Sequence, residues 1–234
     1  MPSDRSLFAV IPAAGHSRRM GRPKLLLPLG ESTVLERLIR AVSVPELSQI
    51  VIVVRRDDIA LQAAILALQH SEPRLQMVLP ETDPPDMKAS ILAAVTFIEA
   101  TWAPGQQAAW LLVPADFSLL DRETTARLVA RWKEIAPDAN RTPSPSQTER
   151  ESASILIPTC NGRRGHPILL GWHWAAGVAA LSEDQGLNAL IREAGTAVAE
   201  FPCDDAGVLV DLDTPGDYEQ ARKQIEQMRT QVPG

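Results

Sequence analysis

Short apolar runs rich in β-branched residues alternate with segments of helical periodicity, and that alternation restricts the fold of this chain more than any other feature. The runs are Leu7–Ile11, Ile50–Val54, Leu75–Leu79, Ala109–Val113, Ser154–Ile157 and Ala197–Phe201. In Thr33–Ser43 the apolar residues Val34, Leu35, Leu38, Ile39 and Val42 recur three and four apart, with Ser32 placed to cap a helix. Ile59–Gln69, Met87–Ala100 and Arg122–Ile135 carry the same periodicity. Strands joined by helices cross over right-handed, and a sheet wound that way is covered on both faces. The expectation is a doubly wound α/β fold, with a mostly parallel sheet and helices on both faces.

The beat breaks at 137–152, PDANRTPSPSQTERES, which has three prolines and no apolar anchor. It reads as an exposed, mobile loop inside a single domain spanning 1–234, because motifs beyond it should converge on the same site as those before it. Hydrophobic residues make up 45% of the chain, which excludes bulk disorder. No apolar run approaches the ~18–20 residues of a membrane span. The apolar stretch near the N-terminus is too short for a signal peptide and is followed by arginine. Cys160 and Cys203 form no CxxC and read as ordinary thiols of a reducing cytoplasm. A net charge of -6 argues against general nucleic-acid binding.

Against that acidic background, VIPAAGHSRRMGRPK at 10–24 concentrates Arg18, Arg19, Arg22 and Lys24 directly after the first apolar run and the small residues Ala13-Ala14-Gly15. Small residues let backbone N–H groups approach phosphate oxygens, and the cations supply countercharge. Lys24 is expected to face solvent. Neither the Walker pattern nor G-x-G-x-x-G is present.

Asp116 follows the apolar run ending at Val113, where a carboxylate is placed to hold Mg²⁺ or to cap a turn or helix. Asp211 and Asp213, two apart, would share a face on a strand and repel unless a cation or proton intervenes. Equally, Asp213 could cap a helix opening at Thr214-Pro215. His166, between Gly165 and Pro167, is a general-base candidate or a hydrogen-bonded loop residue, with Arg163 and Arg164 adding positive charge nearby. The five tryptophans are scattered and read as packing rather than a stacking platform.

AAGHSRRMGRPKLLLPLG resembles the signature loop of the MobA-like nucleotidyltransferases, L-A-A-G-x-S-x-R-M-G-x-x-K, and most closely their molybdenum cofactor cytidylyltransferase branch. NGRRGHPILLG at Asn161–Gly171 and VLVDLDTPGDY at Val208–Tyr218 resemble the later motifs of that family, in order. The resemblance implies a Rossmann-like fold of the nucleotide-diphospho-sugar transferase type. It also implies a Mg²⁺-dependent, cytoplasmic enzyme that moves a nucleoside monophosphate from an NTP to a phosphate-bearing acceptor and releases pyrophosphate. The Ala-Ala-Gly form favours CTP over GTP, and the branch points to molybdopterin as acceptor, with a molybdoenzyme or maturation chaperone as partner. A sugar phosphate or phospholactate acceptor, or a catalytically silent nucleotide-binding chaperone, are the alternatives.

Carried onto this sequence, nucleotide binding falls to Ala13, Ala14, Gly15, Ser17, Arg18, Arg19 and Lys24, with Ser90 at a helix start near base and ribose. Catalysis falls to Lys24, Arg19 and Asp116. The metal falls to Asp116 with Asp213, Asp211 being the alternate, and the acceptor to Arg163, Arg164 and His166. The chain departs from the family pattern at Phe117-Ser118, where Met-Pro or Gln-Pro is usual, and at Lys88, which replaces a smaller residue.

Overall fold

The computed structural model describes residues 5–136, 153–182 and 185–231, and the loop expected at 137–152 lies outside them. Its strands are β1 (Leu7–Pro12), β2 (Pro28–Leu29), β3 (Ser32–Thr33), β4 (Gln49–Val53), β5 (Leu75–Val78), β6 (Ala109–Leu112), β7 (Ile155–Cys160), β8 (Arg163–Arg164), β9 (Ile168–Gly171) and β10 (Val198–Pro202). The helices are α1 (Val34–Val42), α2 (Ile59–Gln69), α3 (Met87–Trp102), α4 (Arg122–Ile135), α5 (Trp174–Ala180), α6 (Leu187–Ala194) and α7 (Pro215–Gln231).

The main sheet runs β10-β7-β9-β6-β1-β4-β5, with β8 paired to β7. Every pairing among β6, β1, β4 and β5 is parallel, as is β10 with β7. β9 runs antiparallel to both neighbours, β6 and β7. The sheet is therefore mostly parallel and doubly wound, as expected, with two reversed strands, β9 and the short β8, that the sequence reading missed. Ile168–Gly171 is a four-residue apolar run bounded by Gly and Pro, so its signal was present but short. The β7–β8 hairpin was also missed, although Asn161-Gly162 is a strong two-residue turn signal; both residues sit at positive φ, 51° and 73°.

Period-two alternation divides the strands between two cores. Leu7, Ala9 and Ile11 of β1 enter one cluster, together with Leu38 of α1, Ile65 of α2, Leu128 of α4 and Tyr218 of α7. Phe8 and Val10 enter the other, with Ile91 and Ile98 of α3, Val178 of α5 and Leu190 of α6. Trp110, Trp132 and Trp172 are buried in these cores, in line with a packing role. The cap of α1 is Thr33 rather than Ser32: Thr33 Oγ1 accepts from Glu36 N at 3.2 Å, and Glu36 Oε2 accepts from Thr33 N at 2.6 Å. Ser32 Oγ instead accepts from Arg40. The two free thiols, 43 positions apart in sequence, end adjacent strands, Cys203 N donating to Thr159 O at 2.8 Å.

Candidate active site

The chain leaves β1 toward β4 on one side and later pairs β6 on the other, so the winding direction switches at β1. Open α/β sheets bind ligands at that point, outside the C-terminal strand ends. A cavity of about 330 Å³ lies there. The loop after β1, from Ala13 to Arg18, lines it together with Lys24, Pro114–Asp116 after β6, and Pro84–Met87 and Ser90 at the start of α3.

The loop is turned tightly. Ser17 sits at φ +49°, and its carbonyl accepts from Met20 N and Gly21 N at 3.0 and 3.1 Å. Its hydroxyl accepts from Lys24 N at 3.5 Å. Arg18 is exposed at the rim and Gly15 is exposed in the cavity wall. Arg55, which the sequence reading did not single out, donates from one guanidinium nitrogen to Ala14 O and Gly15 O at 3.3 and 3.1 Å.

Lys24 does not face solvent; its side chain is 15% exposed and its ammonium lies between two carboxylates. Nζ is 2.8 Å from Asp116 Oδ2 and 3.3 Å from Asp213 Oδ1. The other oxygen of Asp213 accepts from Arg19 at 2.6 Å. Two cations from the loop, Arg19 and Lys24, and the aspartates after β6 and before α7 thus form one knot, with Lys24 as the relieving cation.

The segment carrying Asp211 and Asp213 is not a strand. A 3-10 turn, Ala206–Leu209, leads into irregular chain and then α7. Thr214 and Asp217 cap that helix reciprocally, Thr214 N donating to Asp217 and Asp217 N to Thr214 Oγ1. Asp213 is therefore not the cap and is left to the cations. Partial burial, together with the charges of Asp116, Asp213 and Asp217, raises the Asp211 pKa above the ordinary carboxylate value.

Among the described residues no three or more His, Cys, Asp or Glu side chains form a closed metal site. Two carboxylates on separate elements beside this cavity nevertheless suit Mg²⁺, which takes one or two carboxylates and completes its shell with water and substrate phosphates.

His166 lies two residues before β9, next to the end of β6. Its backbone N donates to Val208 O at 2.8 Å, and a Cβ on Gly165 would come within 2.1 Å of that carbonyl, so glycine is required there. Burial pushes the His166 pKa down to about 4, only partly offset by the Asp116 charge and a backbone hydrogen bond at Leu112. The ring packs edge-on to Phe117, with centroids 4.8 Å apart, so Phe117 supports the imidazole. Ser90 lines the cavity, but its hydroxyl donates to Asp86 O at 3.2 Å, leaving lone pairs for a ligand. Lys88 donates to Ser182 O at 2.7 Å, tying α3 to the segment after α5. Arg163 and Arg164 are exposed on β8, and Arg164 pairs with Glu200 at 2.8 Å.

A switch-point cavity walled by a tight backbone loop, with paired cations and carboxylates at its edge, defines a nucleotide-handling α/β protein. The chain belongs to the MobA-like NTP transferase domain family, whose model matches residues 9–198. It is 34% identical over 101 residues to 2-C-methyl-D-erythritol 4-phosphate cytidylyltransferase of Tolumonas auensis; the match spans 42% of this chain and only 42% of that relative. A nucleotidyl transferase from Methanothermobacter thermautotroptrophicus superposes with a TM-score of 0.70 at 21% identity, over 95% of this chain and 99% of the other. Rv0371c of Mycobacterium tuberculosis H37Rv, solved as a complex with manganese, superposes with a TM-score of 0.68 at 20% identity, over 93% of this chain and 98% of the other. The fold is thus of the nucleotide-diphospho-sugar transferase type.

Proposed function

We propose that this chain is a nucleotidyltransferase that moves a nucleoside monophosphate, CMP by preference, from an NTP to a small phosphate-bearing acceptor and releases pyrophosphate. The observation that carries the reading is Lys24, held between Asp116 and Asp213 at the edge of the switch-point cavity. Ala13 N already donates to Val53 O at 2.9 Å, so Ala13 contributes as a small wall residue while the N–H groups of Ala14 and Gly15 and the Ser17 turn cradle the nucleotide, and Ser90 offers an acceptor to base or ribose. Arg18, Arg19 and Lys24 neutralise phosphate charge, with Lys24 moving from both Asp116 and Asp213, and Arg19 from Asp213, onto the more highly charged triphosphate. That exchange leaves Asp116 and Asp213 free to hold Mg²⁺. A divalent cation there would supply charge neutralisation of the triphosphate.

An acceptor phosphate is already anionic at neutral pH, so its oxygen attacks the α-phosphorus without a general base, and pyrophosphate leaves in line. His166, neutral and half-buried, suits a positioning role beside Asp116, with Arg163 and Arg164 at the acceptor side. The loop resemblance favours molybdopterin as acceptor, in a pathway that delivers cofactor to a molybdoenzyme. The Tolumonas cytidylyltransferase relative favours a second reading, a small polyol phosphate.

Pyrophosphate release tests both readings when CTP, GTP, ATP and UTP are crossed with the two acceptors in Mg²⁺ or Mn²⁺. Turnover with CTP is expected, and tighter binding of GTP would move the base preference to guanine. Asp116→Asn and Asp213→Asn should each abolish most metal-dependent turnover, with Asp211→Asn hurting less. Full activity in all three variants removes the two-aspartate metal site.

A further inference from the structure

We propose that Arg55 is a positioning residue of the nucleotide loop: its guanidinium fixes the two peptide planes after Ala14 and Gly15 so that their N–H groups face the nucleotide. This role rests on the nucleotide-binding reading above. Arg55 lies just beyond β4, and one of its nitrogens donates to both Ala14 O and Gly15 O, at 3.3 and 3.1 Å. In a trans peptide the C=O and N–H point in opposite directions, so carbonyls drawn toward Arg55 turn the Gly15 and His16 N–H groups the other way. The loop itself walls the cavity. Arg55 lies outside its lining and instead lines a recess behind the loop with Gly15, His16 and Ser17. The loop is thus sandwiched between the guanidinium and the ligand space, and successive N–H groups facing one way form an anion-binding concavity.

Ala13 and Ala14 are buried, but at Gly15 no packing fixes the peptide. A Cβ on Gly15 would meet nothing within 4 Å. The hydrogen bonds from Arg55 therefore carry the orientation. The guanidinium is itself fixed: its side chain is 12% exposed, Nε is 2.9 Å from Asp57 Oδ1, and Asp83 Oδ2 lies 3.9 Å away. Asp83 belongs to the segment between β5 and α3 that continues into Pro84 and Pro85 on the opposite cavity wall. One cation therefore ties both walls together. Lysine cannot reproduce this, because a single ammonium lacks the planar fork that serves two carbonyls and a carboxylate at once.

The test compares wild type, Arg55→Ala and Arg55→Lys by calorimetry with CTP and Mg²⁺, by steady-state kinetics and by melting temperature. Arg55→Ala should weaken CTP binding and raise KM by about ten- to a hundredfold, with a much smaller change in kcat. Millimolar methylguanidine should restore part of the affinity, and Arg55→Lys should fall between the two. Wild-type CTP affinity in Arg55→Ala overturns the role. So does a loss seen only as global destabilisation, with no recovery by methylguanidine or lysine. If Arg55→Ala does not fold, Arg55→Lys alone decides, since an unchanged KM there also overturns the role. Failure of wild type to bind any NTP overturns the nucleotide reading itself, a result distinct from all of these.

Discussion

Lys24 has two tasks, and substituting it separates them. In the free protein it relieves repulsion between Asp116 and Asp213, and with nucleotide bound it serves phosphate. Lys24→Ala should lower stability by about 1–3 kcal/mol, because the partly buried Asp116 loses its ammonium donor and Asp213 keeps only Arg19. It should also lower turnover by about 10²–10³, as loss of a transition-state electrostatic donor does. Thermal denaturation reads the first effect and pyrophosphate release the second; unchanged turnover in a folded variant would exclude a phosphate role. His166 makes a different prediction. Its folded pKa is depressed from 6.5 to about 4, so between those values the unfolded chain binds a proton that the folded chain refuses. Its contribution to stability is complete above pH 6.5, falls as pH drops through the window toward 4, and amounts to about 3 kcal/mol over that range. His166→Gln should lose less stability than wild type between pH 7 and pH 4, as measured by urea denaturation at each pH. Lys24, Asp116 and Asp213 were visible in the sequence as candidates. Their mutual pairing was not, because 92 and 189 positions separate the lysine from its partners.

At the scale of elements, helices were legible where apolar spacing persists over two or more turns, and α2 and α4 begin and end where the periodicity does. Caps were less so, because Ser32 and Thr33 are both good capping residues and only the geometry of the turn chooses between them. That choice is measurable. Thr33→Ala should destabilise the protein by about 1 kcal/mol by removing one side of the Thr33–Glu36 box, while Ser32→Ala should cost less. Equal costs in chemical denaturation would contradict this cap assignment. The strands that escaped sequence reading, β2, β3, β8 and β9, have two residues each except the four of β9, too few for period two to stand out. Phe117 illustrates the same limit: it appeared as a departure from a family pattern, and the structure gives it a partner in the His166 ring.

Across the whole molecule, the sheet separates two cores that share no side chains, and substitutions on opposite faces should act independently. Leu38→Ala on α1 should cost about 2–5 kcal/mol and Ile98→Val on α3 about 0.5–1.5 kcal/mol. Their double variant should match the sum within about 0.5 kcal/mol in equilibrium unfolding. A larger discrepancy would mean that strain passes through the sheet. The sequence by itself determined the α/β alternation, the two-faced burial of the strands and the cationic loop, because each is written in spacings of two to four residues or in adjacent charges. Tertiary structure alone decided that β9 inserts antiparallel, that Lys24 sits between Asp116 and Asp213, and that Arg55 donates to the Ala14 and Gly15 carbonyls. Those contacts depend on how strands remote in sequence are laid side by side, and local propensity carries no record of that order.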